Sequence, residues 1–223
     1  MEKSKRDKAL NMLSGSMWDK ILRYALPVAA TGILGQLFNA SDVAIVGNFA
    51  STDKVAAVAA VGANGPVIGL VLNLFIGIAL GANVVIANAI GRGDMETVSK
   101  AVHTSIVASV VGGFIVMLIG QALAKPVLLM LNVPDEVFPL AMKYMRIYLV
   151  GMPVILLYNF ESAIFRSAGD TKTPLLALAI SGVLNVILNI FFVTVLDMTV
   201  DGVAVATVIA NAVSAAILGA KLI

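Results

Sequence analysis

The sequence predicts an all-α membrane protein, a bundle of six transmembrane helices. Three observations carry that expectation. The 223 residues are 60% hydrophobic and only 13% charged, with a mean hydropathy of +0.99, where a soluble domain carries roughly 25% charged residues. The chain divides into six apolar stretches, each long enough for the ~20 residues a membrane helix needs. Its Lys and Arg residues also fall mostly on alternate connections, as expected of a multi-pass protein.

Residues 1–20 form a basic segment, "MEKSKRDK" at its head, expected in the cytoplasm. The apolar run that follows is too long for a signal-peptide core of about 7–15 residues, so it reads as a first span, residues 21–49. The second span covers 55–90, and Gly62, Gly65 and Pro66 inside it predict a kink. The third covers 102–123. The fourth opens after "NVPDE", with Asp135 as the expected cap, and runs over 135–167. The fifth covers 174–196 and the sixth 202–223. The break "SAGDTKTP" is well formed: Gly169 suits the left-handed position after a helix, Thr173 can cap, and Pro174 fits a first turn.

With the amino terminus inside, the cytoplasmic side collects Lys3, Lys5, Arg6, Lys8, Lys20, Arg23, Arg92, Lys100, Arg166, Lys172 and Lys221. The outer side keeps Lys54, Lys125, Lys143 and Arg146. This asymmetry predicts a cytoplasmic amino terminus in an inner or plasma membrane. The last span ends at "GAKLI", which reads as a cut or as a lobe made to meet another lobe.

Several function classes drop out. The chain has no cysteine, a single histidine and a net charge of +2, which leaves no thiol chemistry, no multi-histidine metal site and no nucleic-acid partner. It has no phosphate-binding loop and no nucleophile elbow. ATP-driven transport and enzyme activity are not expected, and neither is a bound cofactor.

Polar residues inside the spans carry the functional signal. Asp42 lies in the apolar stretch "GQLFNASDVAIVGNF", and an intramembrane Asp costs about 2.5–3.5 kcal/mol on insertion scales. Gly32, Gly35, Asn39 and Asp42 recur every three or four residues, with Gln36 beside them, and so predict one shared face of the first span. Ser181, Asn185 and Asn189 make a stripe on the fifth span, and Thr207, Asn211 and Ser214 another on the sixth.

One reading of these stripes is interhelical hydrogen bonding, worth about 0.6 kcal/mol per bond. Another places Asp42 at the outer interface, since it lies 19 residues past Arg23, about 28 Å along a helix. The functional reading is cation exchange. Asp42 would take up a proton when enclosed and release it to water, or hold a sodium ion with oxygens from Asn39, Asn185 and Asn189. Gln36, Ser181, Thr207 and Asn211 are candidates for a substrate cavity, and Pro27 for a hinge in the first span. Glu161 is expected to be interfacial or partly buried, and His103 to be a solvated end residue. Tyr144 and Tyr148 are expected as interfacial anchors, and the scattered methionines as packing.

Three stretches together resemble the multidrug and toxic compound extrusion (MATE) transporters. They are "LPVAATGILGQLFNASDVAIVGNF", "GIALGANVVIANAIGRGD" and "FRSAGDTKTPLLALAISGVLNVILNIFF". The resemblance extends over nearly the whole chain but only the amino-terminal half of the family pattern, one six-helix lobe of two. It implies efflux of small organic cations and drugs, driven by a proton or sodium gradient, with Asp42 as the coupling acid. Asn185 matches the family's fifth-helix asparagine. Asn189 stands where some members carry a second acid, which leaves the coupling ion open. Beyond membrane lipid, the implied partner is a missing carboxy-terminal lobe or, for a half-size transporter, a second parallel copy. A lipid or glycolipid flippase of the same superfamily is a further alternative, disfavoured by amides and an acid where pyrophosphate would call for cations. A non-transporting scaffold would leave Asp42 unexplained.

Overall fold

The structure is a computed structural model that describes residues 17–51 and 53–222. The basic segment expected over residues 1–20 lies outside the described residues up to position 16. The described residues form seven helices: α1 (Met17–Phe49), α2 (Lys54–Arg92), α3 (Met95–Met130), α4 (Phe138–Val150), α5 (Met152–Ser167), α6 (Lys172–Thr194) and α7 (Val200–Leu222). Five of them are long and apolar enough to cross a membrane, and α4 with α5 makes a sixth crossing if the bent pair counts as one span. The chain is an integral membrane protein with a six-helix architecture.

The fourth span departs from expectation. It is two helices bent by 54°, joined at Gly151 with Pro153 in the first turn of α5. Proline has no N–H to extend the ladder. The Gly151 N–H closes α4 onto the carbonyls of Ile147 and Tyr148. Neighbouring helices pack into the break at positions without side chains. A Cβ on Gly113 of α3 would meet the backbone of Pro153, and one on Gly151 would meet Val208 of α7.

Other local expectations change in the same concrete way. Asp135 is exposed in a turn, and the residue before α4 is Val137, which makes no side-chain cap. The α5–α6 turn does place Gly169 at φ 80°, but Asp170 rather than Thr173 is the cap. Its carboxylate accepts from the Lys172 and Thr173 amides at 3.1 and 2.9 Å and from the Thr173 hydroxyl at 2.6 Å. The α2–α3 turn repeats the device, with Gly93 at φ 72° and Asp94 accepting from the Thr97 amide and hydroxyl. α2 stays helical through Gly62, Gly65 and Pro66.

α1 packs on α2 and α6, α7 on α4, α5 and α6, and α3 on α2, α4 and α5. The main apolar core lies where α1 ends and α7 begins, with Val46, Ala57, Leu128, Met152 and Val203 fully or almost fully enclosed. Outward-facing leucines and isoleucines such as Leu26, Leu70, Leu118 and Ile187 cover α1, α2, α3 and α6. Apolar outer faces suit lipid or another apolar lobe.

Tyr144 and Tyr148 are not interfacial. They are buried and stacked, with centroids 5.9 Å apart, because short α4 is enclosed by α2, α3 and α7. At the same end, Lys143 of α4 pairs with Asp201 of α7 at 2.8 Å.

Candidate cation-binding site

Asp42 is 4% exposed. α1 turns it inward because Thr31, Asp42, Ile45 and Val46 form the enclosed stripe of that helix, and because Phe38, one turn before Asp42, fills the space above Gly182 of α6. A side chain at position 182 would push the two helices apart.

The glycine lets α6 bring its amides to the acid. Asn189 Nδ2 donates to Asp42 Oδ1 at 2.6 Å and to Asn185 Oδ1 at 3.2 Å. From α7, the Thr207 hydroxyl lies 3.2 Å from Asp42 Oδ2 and 2.9 Å from the Val203 carbonyl, sharing one proton between them. Asn185 Nδ2 donates to that same hydroxyl at 3.3 Å. The four side chains form a closed polar cluster from three helices, and Asn189 Oδ1 is left buried without a partner.

Among the described residues, Asp42 has no ion-pair partner; the pairs are Arg23–Asp19, Lys100–Glu96 and Lys143–Asp201. No group of three or more His, Cys, Asp or Glu that could hold a metal occurs there either. The donor set is one carboxylate with amide and hydroxyl oxygens, the chemistry that suits a hard monovalent cation or a proton.

The expected residues divide. Asp42, Asn185 and Asn189 come together. Asn39 does not: it is exposed and makes no hydrogen bond to Asp42. Three residues is about 300° of helix rotation, and the 60° remaining turns Asn39 off the enclosed stripe. Thr207, expected in a substrate cavity, belongs to the Asp42 cluster. The expected cavity residues do not line one cavity. Ser181 is buried and hydrogen-bonded to Ser214 of α7. Asn211 bonds back to the Thr207 carbonyl of its own helix at 2.8 Å. Gln36 lines an open groove on α1 with Gly32 and Ile33. Pro27 sits inside a continuous α1, and the Thr31 hydroxyl donates to its carbonyl at 2.8 Å. His103 is exposed, as expected. Glu161, expected to be interfacial or partly buried, is 3% exposed. Asn64, absent from the expected site residues, ties α2 to α4 through the Ala141 carbonyl at 3.1 Å; its signal was an amide in an apolar run, one of four along α2.

Residues 27–191 match the MatE family model. The chain belongs to the MATE family. It is 29% identical to the probable multidrug resistance protein NorM of Thermotoga maritima, over 89% of this chain and 43% of that protein. It is 25% identical to the probable multidrug resistance protein YpnP of Bacillus subtilis, over 93% of this chain and 46% of that protein. Its fold superposes with a TM-score of 0.87 on a MOP superfamily transporter from Pyrococcus furiosus, 26% identical, over 96% of this chain and 47% of that one. This MATE chain therefore spans less than half the length of these relatives, and it corresponds roughly to the amino-terminal half of the solved MATE structures.

Proposed function

We propose that this MATE chain is the amino-terminal lobe of a multidrug or organic-cation exporter that works by exchange for a proton or a sodium ion bound at Asp42. One observation carries the reading: a carboxylate enclosed at 4% exposure meets only neutral partners. A buried charge is tolerated when it is paired or neutralised, and here a mobile cation supplies the neutralisation. The unpartnered Asn189 Oδ1 offers a further oxygen to such an ion.

In this reading, cation binding at Asp42 competes with the Asn189 and Thr207 hydrogen bonds. Those bonds tie α1 to α6 and α7, so loading and unloading the site alters how firmly α1 is held. Pro27 is the soft point of α1, because the Arg23 carbonyl lacks the amide donor that any other residue would supply. Gln36 and Asn39, exposed polar residues of α1, face the side where cargo would pass. A second six-helix lobe, or a second copy, completes the path. In this reading the amino terminus is cytoplasmic, which the Lys and Arg distribution supports, and the protein sits in the plasma (inner) membrane.

The test is export of a fluorescent organic cation by the two-lobe assembly carrying Asp42→Asn. The variant should insert and fold while losing gradient-driven efflux. Export at the wild-type rate would remove the coupling role of Asp42.

A further inference from the structure

A second enclosed acid lies away from Asp42. Glu161 of α5 is 3% exposed, and its Oε2 has no hydrogen-bond partner. Its Oε1 lies 3.1 Å from the place a Cβ would take on Gly219 of α7, so the carboxylate rests against a stretch of α7 kept bare by glycine. Tyr158 and Ser162 flank it on α5, one helical turn apart, and both hydroxyls are buried without a partner as well. Apolar cover comes from Ala177 of α6 and from Ala215 and Leu218 of α7, which pack with Tyr158.

No cation of the described residues neutralises Glu161. Lys20 on α1, Lys54 and Arg92 on α2, His103 and Lys125 on α3, Arg146 on α4, Lys172 on α6 and Lys221 on α7 make no ion pair with it, neither does Arg166 on its own helix, and Arg23 is paired with Asp19. Lys100 and Lys143 are paired with Glu96 and Asp201. Gly219 lies 12 residues beyond Thr207 on α7, about 18 Å along the axis, so the two acids occupy separate sites.

An enclosed carboxylate with one oxygen unpartnered and no fixed counter-charge calls for a mobile one. We propose that Glu161 forms a second site for a small monovalent cation, a proton or a sodium ion, at the contact of α5 with α7. The site does not depend on the role given to Asp42, and a chain with Asp42 neutralised keeps it.

Infrared difference spectra of the 223-residue chain in lipid nanodiscs test this, recorded across a pH titration with and without sodium. Two enclosed carboxyl bands are expected. Asp42→Asn removes one and Glu161→Gln the other, whereas Gly219→Ala keeps the Glu161 band and shifts its frequency by crowding Oε1. Loss of the Glu161 band on adding sodium at constant pH assigns sodium exchange, and a band indifferent to sodium assigns a proton site. Spectra of Glu161→Gln that superimpose on wild type in both titrations would overturn the proposal. A failure confined to Asp42→Asn would count against the coupling role of Asp42 alone.

Discussion

Asn189 on α6 places its amide nitrogen 2.6 Å from the carboxylate of Asp42 on α1, joining positions 147 residues apart. The contact is the shortest in a cluster that also takes in Asn185 and Thr207. It ties α1 to α6 by a polar bond, close to where Phe38 meets Gly182.

Removing that donor should be felt. Asn189→Ala leaves Asp42 Oδ1 enclosed without its partner, and loss of a hydrogen bond to a charged group costs about 1.5–3 kcal/mol. Asn39→Ala, on the exposed side of the same helix, should change stability by no more than about 0.5 kcal/mol. Unfolding of both variants in detergent micelles checks the contrast, and equal losses would mean that the two amides share one environment.

Glycine spacing predicts a second contrast. Gly113→Ala sets a methyl against the backbone of Pro153 at the α4–α5 break, where nothing flexible can yield, and overpacking of this kind costs about 1–3 kcal/mol. At Gly32 a methyl meets nothing within 4 Å, so Gly32→Ala should be neutral or stabilising by up to about 1 kcal/mol through the unfolded chain. Thermal unfolding of the two variants side by side gives the answer.

The α2–α3 turn carries a pH dependence whose sign can be worked out. Hydrogen bonds from Thr97, its hydroxyl first and its backbone amide next, hold the Asp94 carboxyl below its ordinary value. A depressed acid stabilises the fold above its unfolded value of roughly 3.9, and that contribution fades as the pH falls through the lower folded value. Protection of the Thr97 amide, its exchange rate relative to the unstructured rate at the same pH, should therefore be high at neutral pH and fall on strong acidification. Asp94→Ala should lack that protection at both pH values. An amide whose protection ignores both acid and substitution would show that the cap does not hold the turn.

Much of the site was legible as spacing. An acid in an apolar run, and amides at positions 185 and 189, marked α1 and α6 before any packing was known. Asn39 shows the limit. Residues three and four apart share a broad face, yet the 60° between Asn39 and Asp42 separates an exposed amide from an enclosed acid. Thr207 and Glu161 show the same limit from the other side. The stripe of Thr207, Asn211 and Ser214 marked a face of α7 but not which helix would meet it, and the polar residues near Glu161 on α5 did not say that it would be enclosed.

By itself, the sequence determined that this chain is a membrane-embedded all-helical protein, how many crossings it makes, and that an acid lies within one of them. Those properties follow from residue-by-residue transfer into hydrocarbon and from backbone groups that must bond within each helix. Tertiary structure decided the rest: the 54° break in the fourth crossing, the burial of Tyr144, Tyr148 and Glu161, and the partners of Asp42. The rotation of each helix about its axis sets all of these, and a helix greasy on every side carries little record of it in hydropathy. Close approach at bare backbone, as Phe38 makes over Gly182 and Pro153 makes against Gly113, fixes that rotation instead.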